Sequence, residues 1–124
     1  MASADEPRFG DIVPVFRVRD LAASLAFYRS RLHLDLSWTW DEPPIASVCR
    51  GSLQVMLKQV PAAEFQLGEI YVEMTGVDAY HDEIVAAGTP LAVPLRDRPY
   101  RMRDFRVDDP DGNQLSFGAP LPTS

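Results

Sequence analysis

The chain has 124 residues, and 46% of them are hydrophobic, which is enough to bury the core of one soluble domain. Its formal charge of −6 argues against sequence-independent binding to nucleic acid phosphates and is compatible with a cationic ligand. A single cysteine, Cys49, excludes an intrachain disulfide and a cysteine metal cluster, so we expect a cytoplasmic protein.

The sequence shows no targeting or membrane segment. Residues 1–8 lack the apolar region of a signal peptide, and no apolar run approaches the roughly 20 residues of a membrane span. We therefore expect a single domain over residues 1–124 that is neither exported nor inserted into a membrane.

The first half of the chain predicts a strand, a helix and three further strands. Residues 12–18 alternate in polarity as a strand does, and Asp20 then caps a helix that ends near Leu32. Apolar residues recur along this helix at spacings of three and four, which predicts one buried stripe. Three short strands are predicted next, at residues 35–40, 45–50 and 53–59.

The second half repeats this order of elements. A strand at 69–75 precedes a helix at 78–87 that Gly88 and Pro90 stop. The remaining strands are predicted at residues 92–95, 101–107 and 114–117. The chain thus divides into two βαβββ modules, 12–59 and 69–118, and the tail at 119–124 is expected to be loosely held.

A tight turn joins the last two strands. In the Pro-Asp-Gly-Asn sequence at 110–113, Pro fixes one φ angle, Asp bonds its own backbone and Gly takes a positive φ cheaply. This hairpin and the helix at 20–32 together resemble the end and the start of a vicinal-oxygen-chelate chain, from the glyoxalase/bleomycin-resistance superfamily. The resemblance extends from about residue 12 to residue 118.

The resemblance implies an α+β fold. In such a fold, the two modules form a curved, mostly antiparallel sheet around a concave pocket, and each helix covers the outer side. It also implies a homodimer with ligand clefts at the interface. Pro14 lacks one N–H for a strand ladder, which suits an edge strand or a first strand exchanged between subunits.

Metal-dependent members of this family take four ligands, mostly His and Glu, from the first and last strand of each module. The matching positions, counted from the helix cap and from the hairpin, are Val13, Met56, Glu69 and Ser116. One carboxylate among four cannot hold a catalytic divalent ion, which needs about three protein ligands. We therefore expect no metal and no other cofactor.

The two histidines lie outside these positions. His33 stands where the family usually ends its first helix with Gly, so we interpret it as a C-cap residue on the surface. His81 lies in the second predicted helix and is interpreted as structural. We interpret Cys49 as a small hydrophobic residue of the core.

Loss of the ligands on an intact scaffold resembles the bleomycin-resistance branch, whose members sequester a drug without modifying it. Val13-Pro14-Val15 resembles the opening of that branch, and residues 98–105 resemble its loop before the seventh strand. Arg101 stands where that loop carries Gly.

Two tryptophans are the main candidate ligand contacts. Trp38 and Trp40 share one face of the second strand, where they either fill a core or form a stacking wall for an aromatic or cationic ligand. The full set of predicted ligand-binding residues is Trp38, Trp40, Met56, Glu69, Tyr71, Tyr100, Met102 and Ser116.

Glu69 requires a partner if it points into the pocket. Its charge must be solvated, paired with an arginine such as Arg17 or Arg103, or met by a cationic ligand. Pairing with an arginine is the commoner arrangement, and it is the one we expect.

We expect a metal-independent antibiotic-binding protein of the bleomycin-resistance type that holds a cationic or aromatic compound in a dimer-interface cleft. One alternative is a lyase, isomerase or ring-cleaving enzyme of the same family that uses Glu69 or an unrecognised metal site. Another is a protein whose pocket has filled in and which acts through its dimer surface. No nucleic acid or membrane partner is expected.

Overall fold

The computed structural model describes residues 6–123. Residues 1–5, which belong to the segment tested above for a signal peptide, and Ser124 of the tail lie outside the described residues. The elements of the first half are β1 (Val15–Val18), α1 (Leu21–Ser30), β2 (Asp35–Trp40), β3 (Ile45–Arg50) and β4 (Leu53–Gln59). Those of the second half are β5 (Glu69–Glu73), α2 (Val77–Ala86), β6 (Val93–Asp97), β7 (Met102–Asp108) and β8 (Gln114–Pro120).

The two halves have the same topology, as the α+β class with two βαβββ modules predicts. The first sheet has the strand order β1-β4-β3-β2 and the second has the order β5-β8-β7-β6. In each sheet the first and last strands of the module pair in parallel, and the other neighbours pair antiparallel. The chain therefore carries two separate mixed sheets of four strands where one curved sheet was expected.

Two predicted boundaries are wrong at the ends of the chain. The first strand begins at Val15 and not at residue 12, because Pro14 has no N–H to offer β4 and only its carbonyl accepts from Met56, at 2.9 Å. The last strand continues to Pro120, because β7 pairs with it as far as Met102. The expected loose tail is thus partly ordered.

The caps of α1 are those the sequence indicates. The side chain of Asp20 accepts a hydrogen bond from the Ala23 amide at 3.1 Å. At the other end His33 takes a left-handed φ of 55°, and the Leu34 amide donates to the Tyr28 carbonyl at 3.0 Å. The left-handed residue turns the chain back over the last turn of α1, so His33 takes a conformation that glycine adopts most easily.

One hydrophobic core is shared by both modules. Each sheet turns one face toward it, and those faces supply Val48, Val55, Phe105 and Phe117, all at most 1% exposed. Tyr80 of α2 packs its ring against Phe117, with ring centroids 5.1 Å apart. The opposite face of each sheet does not contribute to this core, and we call it the open face.

The two modules are joined by a set of polar contacts that we call the seam. Its centre is the hairpin at 109–113. The buried amide of Asn113 donates to the Arg17 carbonyl at 2.9 Å and accepts from the Gly68 amide at 2.7 Å. Buried Asp109 accepts from the Tyr28 hydroxyl at 2.8 Å. Burial raises the pKa of Asp109, although these hydrogen bonds oppose the shift.

The rim of the seam is an ion-pair cluster around Glu83 of α2. Arg50 of β3 donates to both carboxylate oxygens at 2.7 and 3.1 Å, and His33 Nδ1 lies 2.7 Å from Oε2. The hydrogen bonds from Arg50 and His33 lower the pKa of Glu83 to about 2. His33 is therefore both a helix-ending residue and a contact between the modules.

The other histidine lies in α2: His81 Nδ1 is 2.9 Å from Asp82 Oδ1, and its ring makes an edge-to-face contact with Phe105, with ring centroids 5.4 Å apart. Among the described residues, neither helix has the length and apolar character that a membrane crossing requires.

Candidate functional site

The open face of the first sheet carries both tryptophans. Strand register places Val15, Met56, Ser47 and Trp38 in one row across the four strands. The next row ends in Trp40, opposite Ile45 of β3. Trp38 is 38% exposed and Trp40 is 64% exposed, so neither ring fills a core.

Apolar side chains surround Trp38 on this open face, whereas the row of Trp40 also carries Lys58 and Arg17. Val15 is 51% exposed, and Met56 and Ile45 are half-buried. The indole N–H of Trp40 is satisfied by the Glu42 carbonyl at 3.1 Å, which holds the ring beside an acidic turn. Contiguous exposed apolar side chains rimmed by polar groups are typical of an interaction site.

The open face of the second sheet is polar by contrast. Register places Tyr71, Ser116 and Arg106 in one row, and Glu73, Gly118 and Asp104 in the next. Asp104 is only 5% exposed, whereas Tyr71 is 47% exposed. The strands thus bring a buried carboxylate under an exposed phenol.

Asp104 is the centre of a hydrogen-bond network on this face. Its Oδ2 accepts from Tyr71 at 2.8 Å and from Tyr100 at 2.5 Å, and its Oδ1 accepts from Arg98 Nε at 2.8 Å. Burial opposes ionisation of Asp104, but the hydrogen bonds from Tyr100, Arg98 and Tyr71 outweigh it and lower its pKa. The carboxylate is therefore ionised and fully paired.

The network also raises the pKa of each phenol. For Tyr71 the larger cause is burial, followed by the hydrogen bond to Asp104. For Tyr100 the larger cause is the hydrogen bond to Asp104 itself. Both phenols therefore keep their protons at neutral pH.

Gly118 makes room for this arrangement. A Cβ built at Gly118 would overlap the Tyr71 hydroxyl oxygen and would lie 3.0 Å from Asp104 Cβ. A side chain at this position would displace the phenol from the carboxylate. The glycine is required by the close approach of Tyr71, not by an unusual backbone angle.

The turn before β7 positions Tyr100. Arg101 takes a left-handed φ of 68°, the conformation that glycine adopts most easily, and its amide donates to the Arg98 carbonyl at 3.0 Å. Arg101 therefore adopts a backbone conformation usual for glycine, which is the residue that the loop of the bleomycin-resistance branch carries at this position. Arg98 closes the turn through a hydrogen bond to the Pro94 carbonyl at 2.5 Å.

The expectation that Glu69 pairs with an arginine is wrong. Arg17 donates to the Glu64 carbonyl at 3.2 Å, and Arg103 pairs with Asp78 and Asp97 on the core side of β7. Glu69 is exposed and makes no ion pair within residues 6–123. Solvent therefore screens its charge.

The four metal positions do not fit a divalent ion. Val13 lies before β1, and the residue opposite Met56 is Val15. Ser116 is opposite Tyr71, whereas Glu69 is opposite Gln114. By either count the positions offer at most one carboxylate. Over the described part of the chain, no three His, Cys, Asp or Glu side chains form a group that could hold a metal.

The structure divides the eight predicted ligand-binding residues between the two open faces. Trp38, Trp40 and Met56 lie on the first sheet, whereas Glu69, Tyr71, Met102 and Ser116 lie on the second, with Tyr100 at its rim. Three cavities of about 520 to 530 Å³ are lined by none of the eight. One of them lies at the seam beside Arg50, Tyr80 and Glu83.

Sequence reasoning did not predict the places of Asp104, Arg98 and Gly118 in this network. Asp104 shares the strand parity of the predicted contact Met102, which is a signal that could have found it. Gly118 carried no signal, because its role depends on a tyrosine from another strand.

Comparison with known proteins identifies a family. The model of the Glyoxalase/Bleomycin resistance protein/Dioxygenase superfamily matches residues 9–117. No curated protein matches the chain.

Solved structures agree on the fold. A glyoxalase/bleomycin resistance protein/dioxygenase from Nocardioides is 23% identical over 98% of this chain and 89% of its own, with a TM-score of 0.74. TioX from Micromonospora sp. ML1 is 20% identical over 91% of this chain and 100% of its own, with a TM-score of 0.76. A lactoylglutathione lyase from Agrobacterium tumefaciens is 18% identical over 92% and 96%, with a TM-score of 0.71.

Proposed function

Because the chain belongs to the Glyoxalase/Bleomycin resistance protein/Dioxygenase superfamily, we propose that it is a metal-independent binding protein that sequesters a small aromatic or cationic compound. Antibiotic binding of the bleomycin-resistance type is the concrete form of this function. The observation that carries the proposal is the pair of exposed tryptophans on an open sheet face.

The tryptophans suit a flat or cationic ligand. A cation over an indole ring contributes about 0.5 to 2 kcal/mol, more when water is excluded. Trp38 and Trp40 lie two residues apart on one strand face, roughly 7 Å along the strand, so one ligand can contact both. Asp41 and Glu42 beside them favour a positive charge.

A homodimer completes the proposed site. The tryptophan face and the polar face belong to different sheets, and a second copy can set one against the other. Phe9 and Ile12, before β1, are 100% and 94% exposed, which supports a partner surface for this arm in the assembly. Exchange of the first strand is one way to bury it.

The chemistry of the metal positions supports binding over metal-dependent catalysis. Valine and methionine occupy the positions of the first module, and neither offers the hard oxygen or imidazole nitrogen of the family's ligands. An enzyme that uses Glu69 as a base is the alternative, because one structural neighbour is a lactoylglutathione lyase.

The first test is a thermal-shift and tryptophan-fluorescence titration with bleomycin and a panel of aromatic cations, run with metal analysis of the purified protein. Stoichiometric stabilisation that grows as RT ln(1 + [L]/Kd), without bound metal, supports the proposal. Trp40→Ala should weaken binding by about tenfold, equivalent to about 1.4 kcal/mol.

Val85→Ala is the matched control, because Val85 is an exposed apolar residue of α2, away from the open faces. Equal losses in the two variants would contradict a tryptophan site. Turnover of the compound that Glu69→Gln abolishes would replace the binding function with the enzymatic one.

A further inference from the structure

We propose that Asp104 fixes the hydrogen-bond polarity of the second open face, so that Tyr71 and Tyr100 present only acceptors and select a ligand group rich in N–H donors, such as an amidine, guanidine or amine. This inference rests on the proposed binding function and deepens it. Asp104 is a positioning residue, and the two tyrosines are the contacts.

The number of protons on these groups gives the first step of the argument. A phenol has one O–H proton, and an ionised carboxylate can only accept. Because Tyr71 and Tyr100 both lie within hydrogen-bond distance of Asp104 Oδ2, at 2.8 and 2.5 Å, each must donate its proton to that oxygen. Neither phenol retains a donor for a ligand.

The remaining lone pairs are accessible. Tyr71 is 47% exposed and Tyr100 is 60% exposed, while the carboxylate between them is buried. A ligand N–H can therefore reach either phenol oxygen without competing for Asp104. A ligand carboxylate at the same place would meet lone pairs and an adjacent negative charge.

Two arginines of this face are already paired with carboxylates. Arg98 pairs with Asp104, and Arg106 pairs with Asp108 at 3.0 Å. Arg96 lies directly opposite Asp104 on edge strand β6, and β7 and β8 separate it from β5, which carries Tyr71. The acidic residues Glu69 and Glu73 lie on the strand of Tyr71 and add acceptors there.

Benzamidine and benzoate test the inference, because they share one ring and have opposite hydrogen-bond polarity. Their binding is followed on the full-length protein by NMR of tyrosine labelled at Cζ. Benzamidine should shift the signals of Tyr71 and Tyr100 and bind at least about tenfold more tightly than benzoate. Equal or tighter binding of benzoate would overturn the inference.

Asp104→Asn reverses part of the polarity. Its amide N–H₂ donates to one phenol, which then turns its own O–H outward, so the preference for benzamidine should fall by about threefold or more. The variant should also bring the ionisation of both tyrosines, followed by phenolate absorbance, toward the ordinary range. An unchanged preference in the folded variant would contradict the role of Asp104.

Gly118→Ala gives a second variant if Asp104→Asn does not fold. The added methyl would meet the Tyr71 ring most closely and would also press on Asp104 Cβ. The Tyr71 signal should then lose more of its response to benzamidine than the Tyr100 signal, and an unchanged Tyr71 response would overturn the inference. Tight, stoichiometric binding of an aromatic cation without a preference for benzamidine over benzoate refutes the inference alone. A preference for benzamidine without tight, stoichiometric binding of any compound, benzamidine included, refutes the proposed function alone.

Discussion

The seam buries hydrogen-bonded polar side chains, whereas the open face of the first sheet exposes apolar ones. At the seam, buried Asp109 and Asn113 have all their polar atoms hydrogen-bonded, and they join the two modules. On the first open face, Trp38 and Trp40 keep much of their surface in water. Satisfied polar groups inside and apolar groups outside indicate that the seam maintains the fold and that the open faces are available for a ligand. Changes at the seam should therefore alter stability, and changes on the open faces should alter binding.

The largest effect is expected at the centre of the seam. Asn113→Ala removes two donors and an acceptor and leaves the Arg17 carbonyl and the Gly68 amide without partners, so we expect a loss of about 3 kcal/mol in the free energy of unfolding. Urea denaturation followed by far-ultraviolet circular dichroism measures it. Gln114→Ala, the next residue but on the open face, is the control, and a similar loss there would erase the distinction between the regions.

A smaller effect of opposite sign is expected at the turn that carries Tyr100. Arg101→Gly relieves a left-handed residue and should raise the free energy of unfolding by about 1 kcal/mol. The same change makes the turn that carries Tyr100 more flexible, so ligand affinity should fall while the free energy of unfolding rises. If affinity and the free energy of unfolding both rise, the strain at Arg101 has no part in binding.

The ion-pair cluster at the rim of the seam should make the free energy of unfolding depend on pH. Because the pKa of Glu83 is lowered to about 2, its stabilising contribution is present above its ordinary pKa and is lost as pH falls through the folded value. The carboxylate is about one-third exposed, so we expect less than about 1 kcal/mol from it. Thermal unfolding between pH 5 and about pH 2 should be less pH-dependent in Glu83→Gln. An unchanged slope would assign acid sensitivity to other carboxylates.

The smallest effect on stability is expected on the first open face. Trp40 is mostly exposed, so Trp40→Ala should change the free energy of unfolding by no more than about 0.5 kcal/mol, even though the same variant is expected to lose ligand. The urea denaturation used for Asn113→Ala measures the free energy of unfolding of the two variants on one scale. A loss above about 2 kcal/mol would mean that the ring supports the fold.

Local patterns were sufficient to predict much of the fold. The Asp20 cap, the turn at 110–113 and the repeated order of elements all follow from residues close together in sequence. Both tryptophans were expected on one face, and strand register confirms this arrangement.

The parts that were not predicted depend on contacts between distant residues. Asp104 and Tyr71 come from different strands, and only the register of β5, β8 and β7 brings them together. Glu69 was expected to pair with an arginine, but Arg17 and Arg103 have other partners that no local pattern shows. Strand register also decides which residues face each other across the sheet, and it places Val15 opposite Met56 and Tyr71 opposite Ser116, which counting along the chain did not show.

The four-strand width of each sheet limits the size of what the protein can cover. With neighbouring strands about 4.8 Å apart, a row such as Val15, Met56, Ser47 and Trp38 spans about 14 Å from edge to edge. A compound shorter than this can be shielded across its whole length. A longer compound would extend beyond an edge strand and leave its ends exposed to solvent.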